Sequence, residues 1–417
     1  MVPETELPHE IRKSGHRLAD LAVAFSAPFV SLVEHAADDV ITQAMTVLIT
    51  NPGAGAAGVM IRRILLPAAV LVACSAACAE AAPSYQVYVT NERSGDITVI
   101  NGGDGAVTAT IPVGKRPRGI HVSPNGKTVY VALSGTPIEA PPQIDAHGNP
   151  VFAKRQAKDD DDDDDANADK AADGIGVVDV ASKRLTVKLN AGSDPEEFAL
   201  SKDGKHIYIS NEDVKTASVI NIATGKLEHI IPVGQEPEGV TTTPDGKQFY
   251  VTCEAGGDIY VIETGDYSVA AHFKVNGRPR SVVFLSSGGI GFIPSESTGE
   301  LNIIDTANAA VSKTITLPAG SRPMRVKLSI DEKKLYASNG RAGTISVIDT
   351  RTYELLSTIK VGARPWGIGV SPDGKLLYAA NGPSDDVSVV DLQTNMEVAK
   401  IKVGSSPWGI AIVPKAR

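Results

Sequence analysis

A Gly followed three residues later by Pro recurs along this chain. The copies are Gly114/Pro117, Gly192/Pro195, Gly234/Pro237, Asn276/Pro279 (Asn for Gly), Gly320/Pro323, Gly362/Pro365 and Gly404/Pro407. Successive prolines are 78, 42, 42, 44, 42 and 42 residues apart, so the first interval is one period plus a 36-residue insertion. A period near 42 residues implies units that bury their apolar faces only against one another. In the copy opened by Pro365, Trp366-Gly-Ile-Gly-Val alternates into the turn Pro372-Asp373-Gly374, and Leu376-Leu-Tyr-Ala-Ala follows. Val387-Ser-Val-Val and Val398-Ala-Lys-Ile-Lys-Val complete four strands with no helical period between them. Such a unit is a propeller blade. Only one strand follows Pro407, while the chain from about Tyr85 opens on a second strand. Pairing the two ends completes a seventh blade. The expected fold is all-β: a seven-bladed propeller of four-stranded antiparallel blades, closed by pairing the C-terminal strand with the N-terminal strands.

Export is read from residues 60–82. A basic start (Arg62-Arg63), an apolar run from Ile64 to Val72 and small-x-small sites at Ala77–Ala79 and Ala79–Ala81 form a signal peptide. The run is too short to span a bilayer. Leu71-Val-Ala-Cys74 also matches a lipobox, which would anchor the protein through lipid on Cys74. Residues 1–59 precede this signal and read as a non-native or mis-annotated extension, with translation starting at Met60. The propeller then spans 83–417, with an acidic insertion at about 136–172 that reads as a solvated, disordered loop. Its seven aspartates, Asp159 to Asp165, carry most of the formal charge of −9. The mature chain keeps only Cys253, which excludes an internal disulfide and reads as a packed small hydrophobe.

Tyr88-Val-Thr-Asn91, the Pro-Asp-Gly-Lys turns and the Val-Gly-x-x-Pro hooks resemble the YVTN family of β-propeller repeats. Asp173-Gly-Ile-Gly-Val-Val-Asp, Gly192-Ser-Asp-Pro-Glu-Glu-Phe, Gly362-Ala-Arg-Pro-Trp-Gly-Ile-Gly and Ala380-Asn-Gly-Pro-Ser-Asp-Asp together look like the PQQ-dependent catabolism-associated β-propeller proteins. That resemblance implies a periplasmic or secreted protein beside quinoprotein alcohol oxidation, with a quinoprotein dehydrogenase or a transport component as partner. It implies no defined activity.

The hooks should ring one mouth of the central channel. Before the prolines stand Arg116, Asp194, Glu236, Arg278, Arg322, Arg364 and Ser406; after them stand Arg118, Glu196, Glu238, Arg280, Met324, Trp366 and Trp408. Acid gathers in the two copies opened by Pro195 and Pro237, base in most others. An arginine-rich arc beside two tryptophans suits a small, planar anionic ligand or a partner's loop. The alternative is that Arg–Glu pairs merely tie neighbouring blades together. Asn91, Asn211, Glu212, Glu254, Glu296, Asn339 and Asn381 lie in loops of the same face.

Catalytic signatures are mostly missing: there is no Cys-x-x-Cys-His, His-Glu-x-x-His or Gly-x-Ser-x-Gly, and two tryptophans cannot supply a tryptophan docking motif in most blades. No catalytic residue, metal site or cofactor is assigned, an acidic chain without a basic stripe gives no reason to expect nucleic acid, and a monomer is expected. The leading expectation is a non-catalytic binding or scaffold accessory. The rival is a lactonase-like seven-bladed hydrolase, in which Glu196, Glu238 or His121 near Arg280 would activate water.

Overall fold

The computed structural model describes residues 85–138, 143–144, 150–151 and 168–414. The proposed extension 1–59, the signal segment 60–82, Cys74 and the run Asp159–Asp165 lie outside the described residues. Seven four-stranded antiparallel sheets follow one another around a ring. Blade 1 joins Tyr85–Asn91, Asp96–Asn101 and Val107–Pro112 to the inner strand Pro407–Pro414. Blades 2 to 7 begin on inner strands Ile120–Val122, Pro195–Leu200, Pro237–Thr242, Val283–Phe284, Pro323–Leu328 and Pro365–Val370. Tyr85 pairs with Pro414 and Asn91 with Pro407, which closes the ring as the repeat count requires.

Closure is visible in the packing too. Among the described residues seven hydrophobic clusters form, one at each blade–blade contact. The contact between blades 7 and 1 is as complete as the rest, with Tyr85, Val87 and Ile100 against Tyr378, Ala380 and Val387. There the Tyr85 and Tyr378 hydroxyls meet at 2.7 Å. Burial falls outward: the second and third strands are almost fully buried, whereas fourth strands such as Met396–Lys402 are mostly exposed. An inner-edge strand can begin with Pro because no neighbour needs its N–H. Cys253 is buried between blades 3 and 4, and burial pushes its thiol up to about 12.

The recurring phrases have separate mechanical causes. Each Asn that ends a second strand donates through Nδ2 to the third strand. Asn381 reaches Asp386 at 2.7 Å and Ser388 at 2.8 Å, and Asn91, Asn211 and Asn339 repeat the clasp. Blade 5 swaps the partners, with Asn302 on the third strand donating to Ser295 on the second. The hook Gly lies against this Asn: a Cβ on Gly362 would come within 2.5 Å of the Asn381 amide. The residue before the hook Pro adopts positive φ in six blades, at Arg116, Asp194, Glu236, Arg322, Arg364 and Ser406, between 44° and 59°. That conformation costs a non-Gly residue about 1 kcal/mol. In five of these blades the strained residue's carbonyl is held by the N–H that follows the second strand, as in Glu254 N–H to Glu236 O at 2.8 Å, whereas in blade 2 Ser134 N–H goes to Lys115 O.

Immediately after the Pro, the inner strand bulges. Glu196 and Glu197 together oppose Ser210, Met324 and Arg325 oppose Ser338, and Trp408 and Gly409 oppose Thr90. A bulge re-aims side chains and suspends alternation. The hydroxyl opposite it also ties the ring together: Ser210 donates to Glu238 O at 2.6 Å, Ser338 to Trp366 O at 2.7 Å and Thr90 to Arg118 O at 2.8 Å.

Candidate functional site

The hooks and the loops between second and third strands meet on one face, because ion pairs join them directly. Two arginines, each the residue after a hook Pro, organise that face. Arg118 of blade 2 meets Asp194 at 3.0 Å, Glu196 in direct contact and Glu212 at 3.8 Å. Arg280 of blade 5 meets Glu238 at 2.6 Å, Glu296 at 2.6 Å and Glu254 in direct contact. Each guanidinium therefore serves three carboxylates, and the acidic arc of blades 3 and 4 is neutralised from both sides. Arg116 supports the first group through Glu92 at 3.0 Å and Asp194 at 3.7 Å. Arg278 supports the second by touching Glu254 and lying 3.5 Å from Glu236. Arg322 reaches Glu296 at 3.8 Å.

Acidities divide accordingly. Burial would raise Glu238, yet Arg280 overrides it and holds the carboxyl down at about 2. Asp194 is likewise buried but kept below its ordinary value by Arg118 and Arg116. Glu254 goes the other way: burial, with Glu238 alongside, pushes it well above the ordinary value despite Arg280. Glu212 rises to about 7, chiefly through loss of water, with Asp194 and Glu238 adding repulsion that Arg118 only partly offsets. Glu254 is only 1% exposed, whereas the Glu212 side chain keeps 28% of its surface open. Glu212 is thus enclosed by protein but reachable from the mouth. Beside it, Arg118 Nε and Glu196 Oε2 are buried without a hydrogen-bond partner.

Under this rim a bridge crosses the channel. Arg325 of blade 6 contacts Glu197 of blade 3, blades as far apart as a seven-membered ring allows. His121 Nε2 approaches the other Glu197 oxygen at 2.9 Å, and Arg325 and His121 hold Glu197 below its ordinary value against a strong burial effect. Gly119 is required here, since its Cβ would lie 2.4 Å from Glu197 Oε1.

The aromatic arc lies opposite the acids. Trp366 and Trp408 stack with centroids 5.5 Å apart and planes 27° from parallel. Arg364 and Arg280 lie over Trp366 at 4.9 and 5.5 Å, and Arg325 over Trp408 at 4.8 Å. Trp408 is only 4% exposed, so it backs this surface rather than presenting it.

The sequence-derived residues thus gather on one face but in different states. Arg118, Asp194, Glu196, Glu238 and Arg280 are buried in ion pairs, whereas Arg116, Glu236, Arg278, Arg322, Arg364 and Trp366 are partly open. Glu238 and Glu196, expected as water-activating groups for a hydrolase, are spoken for by Arg280 and Arg118. His121 is engaged by Glu197. Glu212 was recognised only as a loop neighbour, and Glu197, Arg325 and Lys327 were not singled out at all. Among the described residues, no group of three or more His, Cys, Asp or Glu side chains could hold a metal ion, and no helix is long and apolar enough to cross a membrane.

Comparison with known proteins supports the fold and stops short of a family. Residues 290–417 match the model of YNCE-like β-propellers, and residues 68–236 match that of the Choice-of-anchor I domain. Neither spans half of the chain. No curated protein matches. Among solved structures, a candidate 6-phosphogluconolactonase of Bacteroides fragilis is 19% identical, covers 80% of this chain and 99% of its own, and superposes with a TM-score of 0.62. The periplasmic gluconolactonase of Pseudomonas aeruginosa is 19% identical over 79% of this chain and 99% of its own, with a TM-score of 0.58. Hydrazine synthase of Kuenenia stuttgartiensis is 18% identical over 73% and 92%, with a TM-score of 0.59. Identities this low carry the fold alone.

Proposed function

We propose that this propeller hydrolyses lactones at the hook face, with Glu212 as general base and Arg118, backed by Arg116, polarising the carbonyl. The observation that carries the reading is Glu212 itself: an enclosed yet reachable carboxylate beside a buried arginine, with its proton equilibrium near neutrality. A general base works best when its pKa lies close to the operating pH. Glu212 takes a proton from water as the water oxygen bonds to the lactone carbonyl carbon. The tetrahedral oxyanion faces Arg118. The ring C–O bond then breaks, and the Glu212 carboxylic acid returns its proton to the leaving oxygen, giving a hydroxy acid. Two of the structurally similar propellers, a gluconolactonase and a candidate phosphogluconolactonase, are described as acting on this class of substrate, which supports the choice.

The test is hydrolysis of gluconolactone and δ-valerolactone against the spontaneous rate. Activity should rise with pH through about 7 as Glu212 loses its proton. Glu212→Gln should lower kcat by roughly 10²–10⁴. No enzymatic excess over the spontaneous rate on either lactone, or full activity in Glu212→Gln, would end this reading.

A second reading rests on Trp366 with Arg364: the face is a docking surface for a partner, in the periplasmic alcohol-oxidising setting that the sequence resemblance suggests. A Trp366→Ala/Arg364→Ala variant should then lose a quinoprotein dehydrogenase or transport component that wild type recovers from periplasm of alcohol-grown cells. Equal recovery by both proteins counts against it.

A further inference from the structure

We propose that the axial channel beneath the Glu197–Arg325 bridge binds a small oxyanion, a carboxylate or a phosphate, through Lys327, and that the anion enters from the face carrying the Pro-Asp-Gly turns. Lys327 stands four residues after its hook Pro and pairs with Tyr336 of the second strand. The equivalent residues, each opposite a Tyr or Phe, are His121, Ala199, Thr241, Val283, Gly369 and Ala411. Apart from His121 these equivalents are small or β-branched, and Ala199, Val283 and Ala411 pack into the blade–blade clusters, so no other long side chain fills the space around Lys327 at this level. His121 is drawn to Glu197, which leaves Lys327 as the one long side chain there without an assigned role.

An innermost strand is covered by its own second strand and by the two flanking blades. The free side is the channel. Lys327 is nonetheless exposed, so the water that reaches it stands in that channel. Protein still surrounds it closely enough that loss of water lowers its ammonium pKa. No ion pair or hydrogen bond to its side chain occurs among the described residues. Glu197, the acid facing the channel from the hook side, is already held between Arg325 and His121. An uncompensated cation in a solvent-accessible channel with low-dielectric walls concentrates its field on mobile anions. A carboxylate or phosphate would replace the lost hydration with charge-assisted hydrogen bonds. Entry is set by the strand's direction: Arg325 closes the hook side, and Lys327 lies one residue from the strand's other end at Leu328.

Calorimetric titration of the full chain with inorganic phosphate and, separately, acetate tests this and tells the two anion types apart. One of them should bind saturably and at least about 10-fold more weakly to Lys327→Met. Binding is the readout, so the result stands whether or not the protein hydrolyses lactones. If the variant does not fold, trinitrobenzenesulfonate labelling of wild type, mapped by mass spectrometry, decides. The bound anion should slow modification of Lys327 about 10-fold or more while leaving Lys247, whose side chain is 80% exposed, unaffected. Equal binding by the variant, labelling of Lys327 indifferent to both anions, or a Lys327 that never labels would each overturn the proposal.

Discussion

Glu212→Gln should strengthen the fold while it removes the proposed base. The carboxyl moves from its ordinary 4.5 to about 7 in the protein, with burial the leading cause. A folded-state pKa raised in this way means that the folded state holds its proton too tightly. The ionised form is therefore tolerated at a cost that is absent below 4.5 and grows as pH rises through the folded value. Once both states are ionised, the penalty is about 3 kcal/mol. Glutamine keeps the shape without the charge. Its stabilisation should reach about 3 kcal/mol at pH 8, fall below about 1 kcal/mol at pH 5 and vanish near pH 4. Equilibrium denaturation of both proteins at the three pH values reads this directly, provided the slopes with denaturant agree. A loss of stability at pH 8, or a gain independent of pH, would refute the raised pKa and show that Glu212 is a structural tie to Arg118. Gain in stability with loss of turnover is what a site that keeps a strained, functional charge should show.

The second arginine group should behave oppositely. Arg280→Met leaves Glu238, Glu254 and Glu296 crowded without their common partner, and thermal or chemical unfolding at pH 7 should report a loss of about 3–5 kcal/mol. A loss under about 1 kcal/mol would mean that water already screens the group. Below pH 4.5 wild type itself should weaken, since the stability from Glu238 is present above its unfolded value and is lost as pH falls towards about 2. Gly362→Ala should destabilise by driving a methyl into the Asn381 amide, and Asn381→Ala by removing the bonds to Asp386 and Ser388. The double variant should cost less than the sum of the two, and strict additivity would refute the claim that the Gly exists to accommodate the Asn.

The ring, its closure and the face on which charge gathers were all legible in the repeat, because a 42-residue period with four alternating segments admits few other solutions. The reasons for the individual letters were less so. Gly-x-x-Pro and Tyr-x-x-Asn read as two separate signatures, yet they form one joint, with the Gly packed on the Asn and the strained residue before Pro held by the N–H after it. Which arginine meets which acid depends on neighbouring blades, and a linear reading cannot rank Glu212 against Glu238 when burial and distance to Arg118 and Arg280 decide their acidities. The bulge explains the largest omission. With two residues opposing one, the position after each hook residue leaves the alternation that sorts a strand into faces, so Glu197 and Arg325 read as ordinary strand residues. Yet the repeat held their signature. Two residues after each hook Pro stand Gly119, Glu197, Gly239, Ser281, Arg325, Gly367 and Gly409. Five are small, because the next blade's backbone or side chains press against that point, as Trp408 O does 2.5 Å from where a Gly367 Cβ would sit. The two that are large carry opposite charge and lie three blades apart, and in a seven-membered ring the one place where both can go is across the channel towards each other.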